Sequence, residues 1–288
     1  MSRLCGTHFT CGKALDFAWK RPFAEGAPAR FNARMRTLLA AALAIIATPA
    51  LAAGYGAPPP GLSAKLDKLV KSYPDFLDRH DDRFLYLKDG RKLTISDGRT
   101  DKSFDQLVEH ADIDDMFYAD YPAGADASAP GRDVDPGRVR FEPLFNAMYG
   151  DCDHGEVAPK MRSIAWLPKH HGGSLSITSA NGVDKALEAV SAELDALPEK
   201  YMRYLIPNSG SYNCRKIAGS TSRSVHAWGA ALDINSAASD YWRWSKDGWH
   251  NRIPVEIARV FERHGFIWGG RWWHYDTMHF EYRPELLP

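Results

Sequence analysis

The sequence has little cysteine, no run of basic residues and no internal repeat. Lys and Arg together number 36 of 288 residues and are balanced by 36 Asp and Glu. Removal of residues 1–52 leaves 29 basic and 34 acidic residues, a net charge of −5. Nucleic-acid phosphates are bound by clustered Lys and Arg, so this mildly acidic remainder excludes a nucleic-acid partner.

The first 52 residues have the features of a removable leader. Met35 and Arg36 form a short basic start, residues 38–47 are an apolar run, and small residues at Ala50 and Ala52 suit a signal peptidase. We therefore predict Met35 as the true start and cleavage near Ala52, which places the mature protein in the periplasm or outside a bacterial cell. A membrane anchor is the alternative, but the apolar run is short for a bilayer.

Only two cysteines, Cys152 and Cys214, lie beyond the leader. In an exported protein a single pair indicates one disulfide bond. The alternative is that Cys152, with Asp153 and His154 beside it, belongs to a metal site. No C-x-x-C spacing accompanies it, so the disulfide is the prediction.

The region after the leader divides into three parts by composition. Residues 53–61 are a Gly/Pro-rich tether, which is predicted to form neither helix nor ladder. Residues 62–138 begin with an amphipathic helix that ends near Pro74, followed by a hairpin over 84–96 with its turn at Asp89-Gly90. Residues 123–138, rich in Gly, Ala, Asp and Pro, are predicted to be a flexible surface connection. We therefore predict an N-terminal extension over 62–138 and a catalytic domain over 139–288.

The predicted catalytic domain mixes strands and helices without regular alternation. The segments SIAWL and SLSIT have strand character, residues 183–197 place apolar side chains on one helical face, and residues 255–264 form a helix between Pro254 and Gly265. This order indicates the α+β class, not a doubly wound parallel sheet.

Two short segments contain residues suited to metal chemistry. The first runs from Ser224 to Asp233 and the second from Asp276 to Glu281. Two imidazoles, His226 and His279, with the carboxylate of Asp233 suit a divalent zinc ion, and three protein ligands leave a fourth position open for water. Strand character in ALDIN and MHFEY lets two neighbouring strands present Asp233 and His279 toward one point.

These segments resemble the zinc D-Ala-D-Ala peptidases, a family that includes vancomycin-resistance carboxypeptidases and dipeptidases and the L-alanyl-D-glutamate peptidases of phage endolysins. The family pattern S-x-H-x-x-G-x-A-x-D is matched by Ser224, His226, Gly229, Ala231 and Asp233. The second pattern, an acidic residue three before a His, is matched by Asp276 and His279. The resemblance covers roughly residues 205 to 285 and implies an antiparallel sheet with flanking helices and a zinc cleft, as in hedgehog signalling domains.

The resemblance also assigns roles to single residues. It implies that His226, Asp233 and His279 ligate Zn²⁺ and that Asp276 is the catalytic acid/base. Arg215 resembles the arginine that the family places before the metal motif, where a guanidinium stabilises a developing oxyanion. Ser224 is expected to hydrogen-bond substrate or the ligand loop.

A carboxylate near a metal site takes a proton from the attacking water and later protonates the leaving amine, a task that suits Asp276. Glu281 is a candidate partner for a ligating histidine, and His274 a candidate group for positioning substrate. For each of these three residues an ordinary structural or surface role stays open.

The predicted function is hydrolysis of peptidoglycan stem peptides, at D-Ala-D-Ala or at L-Ala-D-Glu. One alternative is a zinc-containing cell-wall binding or signalling module without turnover, and Asp276 and Arg215 argue against it, because metal binding alone needs neither. A serine peptidase using Ser224 and His226 is a second alternative. The oligomeric state and the role of residues 62–138 stay open.

Overall fold

The computed structural model describes residues 54–288, and these residues belong to one compact unit. The predicted leader and its signal peptide lie outside the described residues. Among residues 54–288, no helix combines the length and the apolar character that a bilayer crossing requires.

Short helices and small antiparallel sheets make up the described part of the chain, which confirms the α+β class. The helices are α1 (Leu62–Ser72), α2 (Phe104–Glu109), α3 (Glu142–Tyr149), α4 (Val183–Leu194), α5 (Met202–Leu205) and α6 (Val255–Arg263). The strands are β1 (Leu77–His80), β2 (Phe84–Leu87), β3 (Lys92–Thr94), β4 (Met161–Ala165), β5 (Ser174–Thr178), β6 (Ala231–Asp233), β7 (Phe266–Trp268) and β8 (His279–Tyr282).

Three antiparallel sheets are formed by these strands. One has the order β1-β2-β3, a second pairs β4 with β5, and the third has the order β6-β8-β7. In the third sheet β8 lies in the centre, and its register places His279 opposite Asp233. A backbone hydrogen bond of 2.9 Å from the Thr178 N–H to the Gly229 carbonyl links β5 to the segment just before β6.

Local sequence signals account for most of these elements. In α1, Leu66 and Leu69 are buried on one face, and the helix ends two residues before Pro74, as predicted. The predicted hairpin is β2 and β3, and Gly90 in its turn has φ 88, a conformation that glycine adopts without steric cost. The sequence analysis missed β1, which pairs with β2 and completes that sheet.

Two segments differ from their prediction. Tyr55, in the predicted tether, exchanges backbone hydrogen bonds of 2.8 and 2.9 Å with Lys102, and its ring packs edge-on against Phe104 and Tyr118. The predicted flexible connection 123–138 is not only a surface segment, because the side chain of Asp135 is fully buried. Composition indicated loops in both cases, but it cannot show which loops the rest of the fold covers.

The predicted extension and the predicted catalytic domain contribute to one hydrophobic core. Leu69 and Tyr73 from the first part belong to the same buried cluster as Phe145, Trp228 and Phe280 from the second. The functional division at residue 138 therefore stays a prediction about role, within a single packed unit.

Candidate metal centre and its cleft

The β6–β8 ladder and the turn before it bring three predicted ligand residues together. Asp233 ends β6, His279 begins β8, and His226 lies in a 3-10 turn (Val225–Trp228) that Gly229 closes. Gly229 has φ 66, and a Cβ there would lie 2.6 Å from the Met161 sulfur. A side chain here would be strained by the left-handed backbone and would displace Met161, so glycine suits the passage from the His226 turn into β6.

The three donor atoms form a nearly equilateral triangle. His226 Nε2 lies 3.2 Å from His279 Nδ1 and 3.3 Å from Asp233 Oδ1, and the third side measures 3.1 Å. Tetrahedral coordination with bonds of about 2.0–2.1 Å separates ligand atoms by roughly 3.3 Å. The donor set fits zinc in both atom type and spacing.

Hydrogen bonds on the far side of each imidazole orient the donor nitrogens. His226 Nδ1 contacts the carbonyl oxygen of Ser211, and His279 Nε2 lies 3.0 Å from Glu281 Oε2. Each of these nitrogens can donate its proton outward, which leaves His226 Nε2 and His279 Nδ1 with lone pairs toward the centre of the triangle. Glu281 thus takes the partner role considered for it from the sequence.

The carboxylate of Glu281 is fully buried between two arginines. It contacts Arg140 and lies 3.1 Å from Arg283 Nη1. Burial alone would raise the pKa of Glu281, but Arg140 and the hydrogen bond from His279 hold it well below its usual range. Arg283 in turn pairs with Glu285, which accepts a 2.6 Å hydrogen bond from the Tyr73 hydroxyl. Tyr73, from the predicted extension, therefore belongs to the chain of hydrogen bonds and ion pairs that reaches His279.

Charge around His279 favours a bound cation. Burial lowers the pKa of His279, but hydrogen bonds to Asp233 and Glu281 outweigh this and raise it to about 10. The same carboxylates that attract a proton attract a metal ion, so the two compete for Nδ1.

Asp276 lies beside the triangle without being part of it. Its backbone carbonyl accepts a 3.1 Å hydrogen bond from the His279 N–H, so the two residues enclose a tight turn at the entrance to β8. Asp276 Oδ1 is buried and has no hydrogen-bond partner among the described residues. Burial raises the pKa of Asp276 to about 6. A carboxylate in this state can take up and release a proton near neutral pH.

Arg215 reaches the same cleft from a hairpin-like loop, residues 215–224. Lys216 and Arg223 pair as an antiparallel bridge, and the Ser224 N–H donates to the Arg215 carbonyl at 3.2 Å. The predicted disulfide between Cys152 and Cys214 is present, with Cα atoms 5.8 Å apart, and it anchors the chain next to Arg215.

The far end of this hairpin is held by α2. The Thr221 N–H donates to Glu109 Oε2 at 2.8 Å, and the Ser220 and Thr221 hydroxyls contact the same carboxylate. The Ser222 hydroxyl donates to the Val108 carbonyl at 3.0 Å. A helix of the predicted extension thus fixes the loop that carries Arg215.

One cleft is lined by the metal triangle, Asp276, Arg215 and Ser224 together. Ser224 is buried, and within the described residues no hydrogen bond joins its hydroxyl to His226. Both imidazole nitrogens of His226 already face other groups. This arrangement lacks the Ser–His contact that a serine nucleophile needs.

Two other clusters of possible ligands in residues 54–288 are already occupied. Cys152 and Cys214 lie near Asp153, but their sulfurs are bonded to each other. This excludes the alternative metal site at Cys152. A cluster of Asp112, Asp114 and Asp115 surrounds the ammonium of Lys102, which lies 2.8 and 2.6 Å from two of the carboxylates.

Several cleft residues were missed by the sequence analysis. Arg138 and Arg140 line the cleft, although Arg138 ends the segment interpreted as a surface connection and Arg140 follows it by two residues. Asp135 accepts a 2.6 Å hydrogen bond from His274 Nδ1 and pairs with Arg138 at 2.7 Å. The alternating arginines of the segment RVRF were the available signal. No local pattern connects them to the motifs of His226 and His279, which lie more than 80 residues further along the chain.

A family model described as D-alanyl-D-alanine carboxypeptidase matches residues 218–282. The match includes all three proposed ligands and Asp276, and it begins three residues after Arg215. It confirms over this segment the resemblance inferred from the two motifs, and it indicates a peptidase. Neither a curated protein nor a solved structure matches the chain.

Proposed function

We propose that this chain, whose residues 218–282 match the D-alanyl-D-alanine carboxypeptidase family, is an exported zinc peptidase that hydrolyses peptidoglycan stem peptides. The observation that carries the proposal is the triangle of His226 Nε2, Asp233 Oδ1 and His279 Nδ1, with sides of 3.1 to 3.3 Å. The disulfide supports export, because such bonds persist in oxidising compartments.

In this proposal His226, Asp233 and His279 hold Zn²⁺. When bound, zinc lowers the pKa of a water molecule and polarises the carbonyl of the scissile amide. The buried Asp276 Oδ1, which lacks a protein partner, marks a position where a polar group from solvent or substrate belongs.

Asp276 takes the proton of the attacking water and returns it to the leaving amine. Its pKa, raised by burial to about 6, suits both steps near neutral pH. Arg215, which is exposed and lines the same cleft, donates hydrogen bonds to the oxygen that becomes negative in the transition state. Both groups share one cleft with the metal triangle, which favours an enzyme over a binding module.

Two measurements test the proposal. The purified mature protein should contain one zinc per chain, and dialysis against a chelator should abolish hydrolysis of purified muropeptides. Asp276→Ala should retain zinc and lose about 10²–10⁴-fold in kcat, the usual contribution of a general base. Unchanged turnover in this variant would remove Asp276 as the base, and a protein without zinc would remove the proposal.

Mass spectrometry of the same digests identifies the bond. Release of free D-alanine indicates carboxypeptidase action, whereas cleavage inside the stem indicates an L-Ala-D-Glu endopeptidase. Stoichiometric zinc without any product would favour the binding or signalling module instead.

A further inference from the structure

A groove continues from the metal cleft toward α2. The cleft and the groove share Arg138, Ile217, Trp242 and His274 in their walls, so the two hollows adjoin each other. The far wall of the groove is α2, through Phe104, Asp105 and Val108. Part of the predicted N-terminal extension is therefore placed next to the proposed reaction site.

Within the described part of the chain, one guanidinium of the groove forms no salt bridge with a carboxylate. Arg243 lines the groove and makes no salt bridge within residues 54–288, whereas Arg138 is paired with Asp135 at 2.7 Å. The Arg243 guanidinium carbon lies 4.9 Å from the centre of the Trp242 ring. Both terminal nitrogens lie 3.4 Å from the point where a Cβ on Gly219 would stand. The guanidinium of this exposed arginine thus lies between an aromatic ring and the backbone of the hairpin 215–224.

The side chains that line both the groove and the cleft are packed and oriented. The ring of His274 stacks on Phe104 with centroids 5.4 Å apart and meets Trp242 edge-on at 4.7 Å. The fully buried Asp135 accepts from His274 Nδ1, which fixes the orientation of a ring that lines both the cleft and the groove. A groove with fixed walls can select a ligand by shape and charge.

We propose that this groove is a substrate subsite in which Arg243 binds a side-chain or main-chain carboxylate of the peptide beyond the scissile bond. The inference rests on the proposed peptidase function and adds a substrate feature to it: the peptide extends at least one residue past the metal centre and bears a negative charge there. Arg243 is a specificity residue, because its planar guanidinium pairs with a carboxylate through two hydrogen bonds. Asp105 and Glu109, which also line the groove, disfavour a second carboxylate.

The test compares two short peptides that contain L-Ala-γ-D-Glu and differ only in an α-carboxylate or an α-carboxamide on the D-glutamyl residue. Dissociation constants are measured by calorimetry on the zinc-loaded chain carrying Asp276→Ala, so that binding is read without turnover. Adding Arg243→Ala should weaken the carboxylate peptide about tenfold and leave the carboxamide peptide within about twofold. Arg243→Lys keeps the positive charge but not the paired guanidinium donors. Its dissociation constant for the carboxylate peptide should lie between those of the chains with Arg243 and with Ala at this position.

Arg162→Ala is the matched control, since Arg162 is exposed on β4 and lines neither the cleft nor the groove. It should leave both dissociation constants unchanged. Equal weakening of both peptides by Arg243→Ala, or no weakening of either, would overturn the subsite. Absence of zinc-dependent hydrolysis in the unmodified chain would overturn the proposed function instead, and the binding comparison would still decide the subsite.

Discussion

The β6–β8 ladder and the hairpin 215–224 both carry proposed catalytic groups, but different forces hold them. The ladder places buried donors by strand register, and Glu281, Arg140 and Arg283 surround it with paired charges. The hairpin is exposed and is held at its ends, by the disulfide at one and by Glu109 at the other. The ladder therefore suits a metal, which needs donors at set distances, and the hairpin suits a group that meets a substrate.

The largest expected effect comes from removing a donor of the ladder. His279→Ala should lose stoichiometric zinc and reduce kcat/KM by roughly 10³-fold or more, beyond the 10–100-fold typical for groups that only support a ligand. His264→Ala is the control, because His264 pairs with Glu193 away from the cleft. Metal analysis and muropeptide kinetics on both variants measure the difference. Full zinc content in His279→Ala would contradict the assigned ligand set.

The zinc affinity of the site should depend on pH, because protons compete with zinc for His279. Because the pKa of His279 is about 10 without metal, the imidazole is protonated between pH 6 and 8 and must release a proton when zinc binds. Apparent zinc affinity should therefore rise about tenfold per pH unit in this range and fall as the pH is lowered. Calorimetry in buffers of different ionisation enthalpy counts the protons. Zinc binding without proton release would contradict the expectation.

A smaller loss is expected from the residue that supports His279. Glu281→Gln keeps the size of the side chain but removes the charge that faces His279 and two arginines. Zinc affinity should fall about 10–100-fold, with less proton release on binding. Competition with a chelator measures the affinity, and Glu193→Gln on the protein surface serves as the control. Unaltered affinity would show that the imidazole needs no anionic partner.

The smallest effect on the metal should come from opening the base of the hairpin. Replacing Cys152 and Cys214 together by Ser removes a cross-link between residues that lie 62 positions apart in sequence. By the chain-entropy estimate this lowers the free energy of unfolding by about 4 kcal/mol. Zinc content of the folded protein should stay at one, while kcat/KM falls severalfold because Arg215 is less well positioned. Thermal unfolding, metal analysis and kinetics separate these effects. Loss of zinc in the folded variant would show that the ladder depends on the hairpin.

Sequence patterns predicted the elements whose signals are local. The α1 periodicity, the Asp89-Gly90 turn and the strand character before Asp233 and after Met278 all correspond to elements of the structure. Strand β1 was missed because its sequence, LDRH, has no apolar alternation. Its antiparallel pairing with β2 stabilises the extended conformation instead. Burial of Asp135 was missed for a similar reason, since His274 and Arg138 satisfy its charge only after the chain has folded.

The sequence by itself determined which residue types are available for a metal, in which order, and that two cysteines remain to pair after the leader. The tertiary structure decided that Arg138 and Arg140 lie at the same cleft as the proposed metal ligands, and that α2 lines the adjoining groove. Spacing along a strand or a turn is set by local backbone geometry and can be read from the letters. Contacts between segments more than 80 residues apart depend on how the whole core packs, which no local pattern contains.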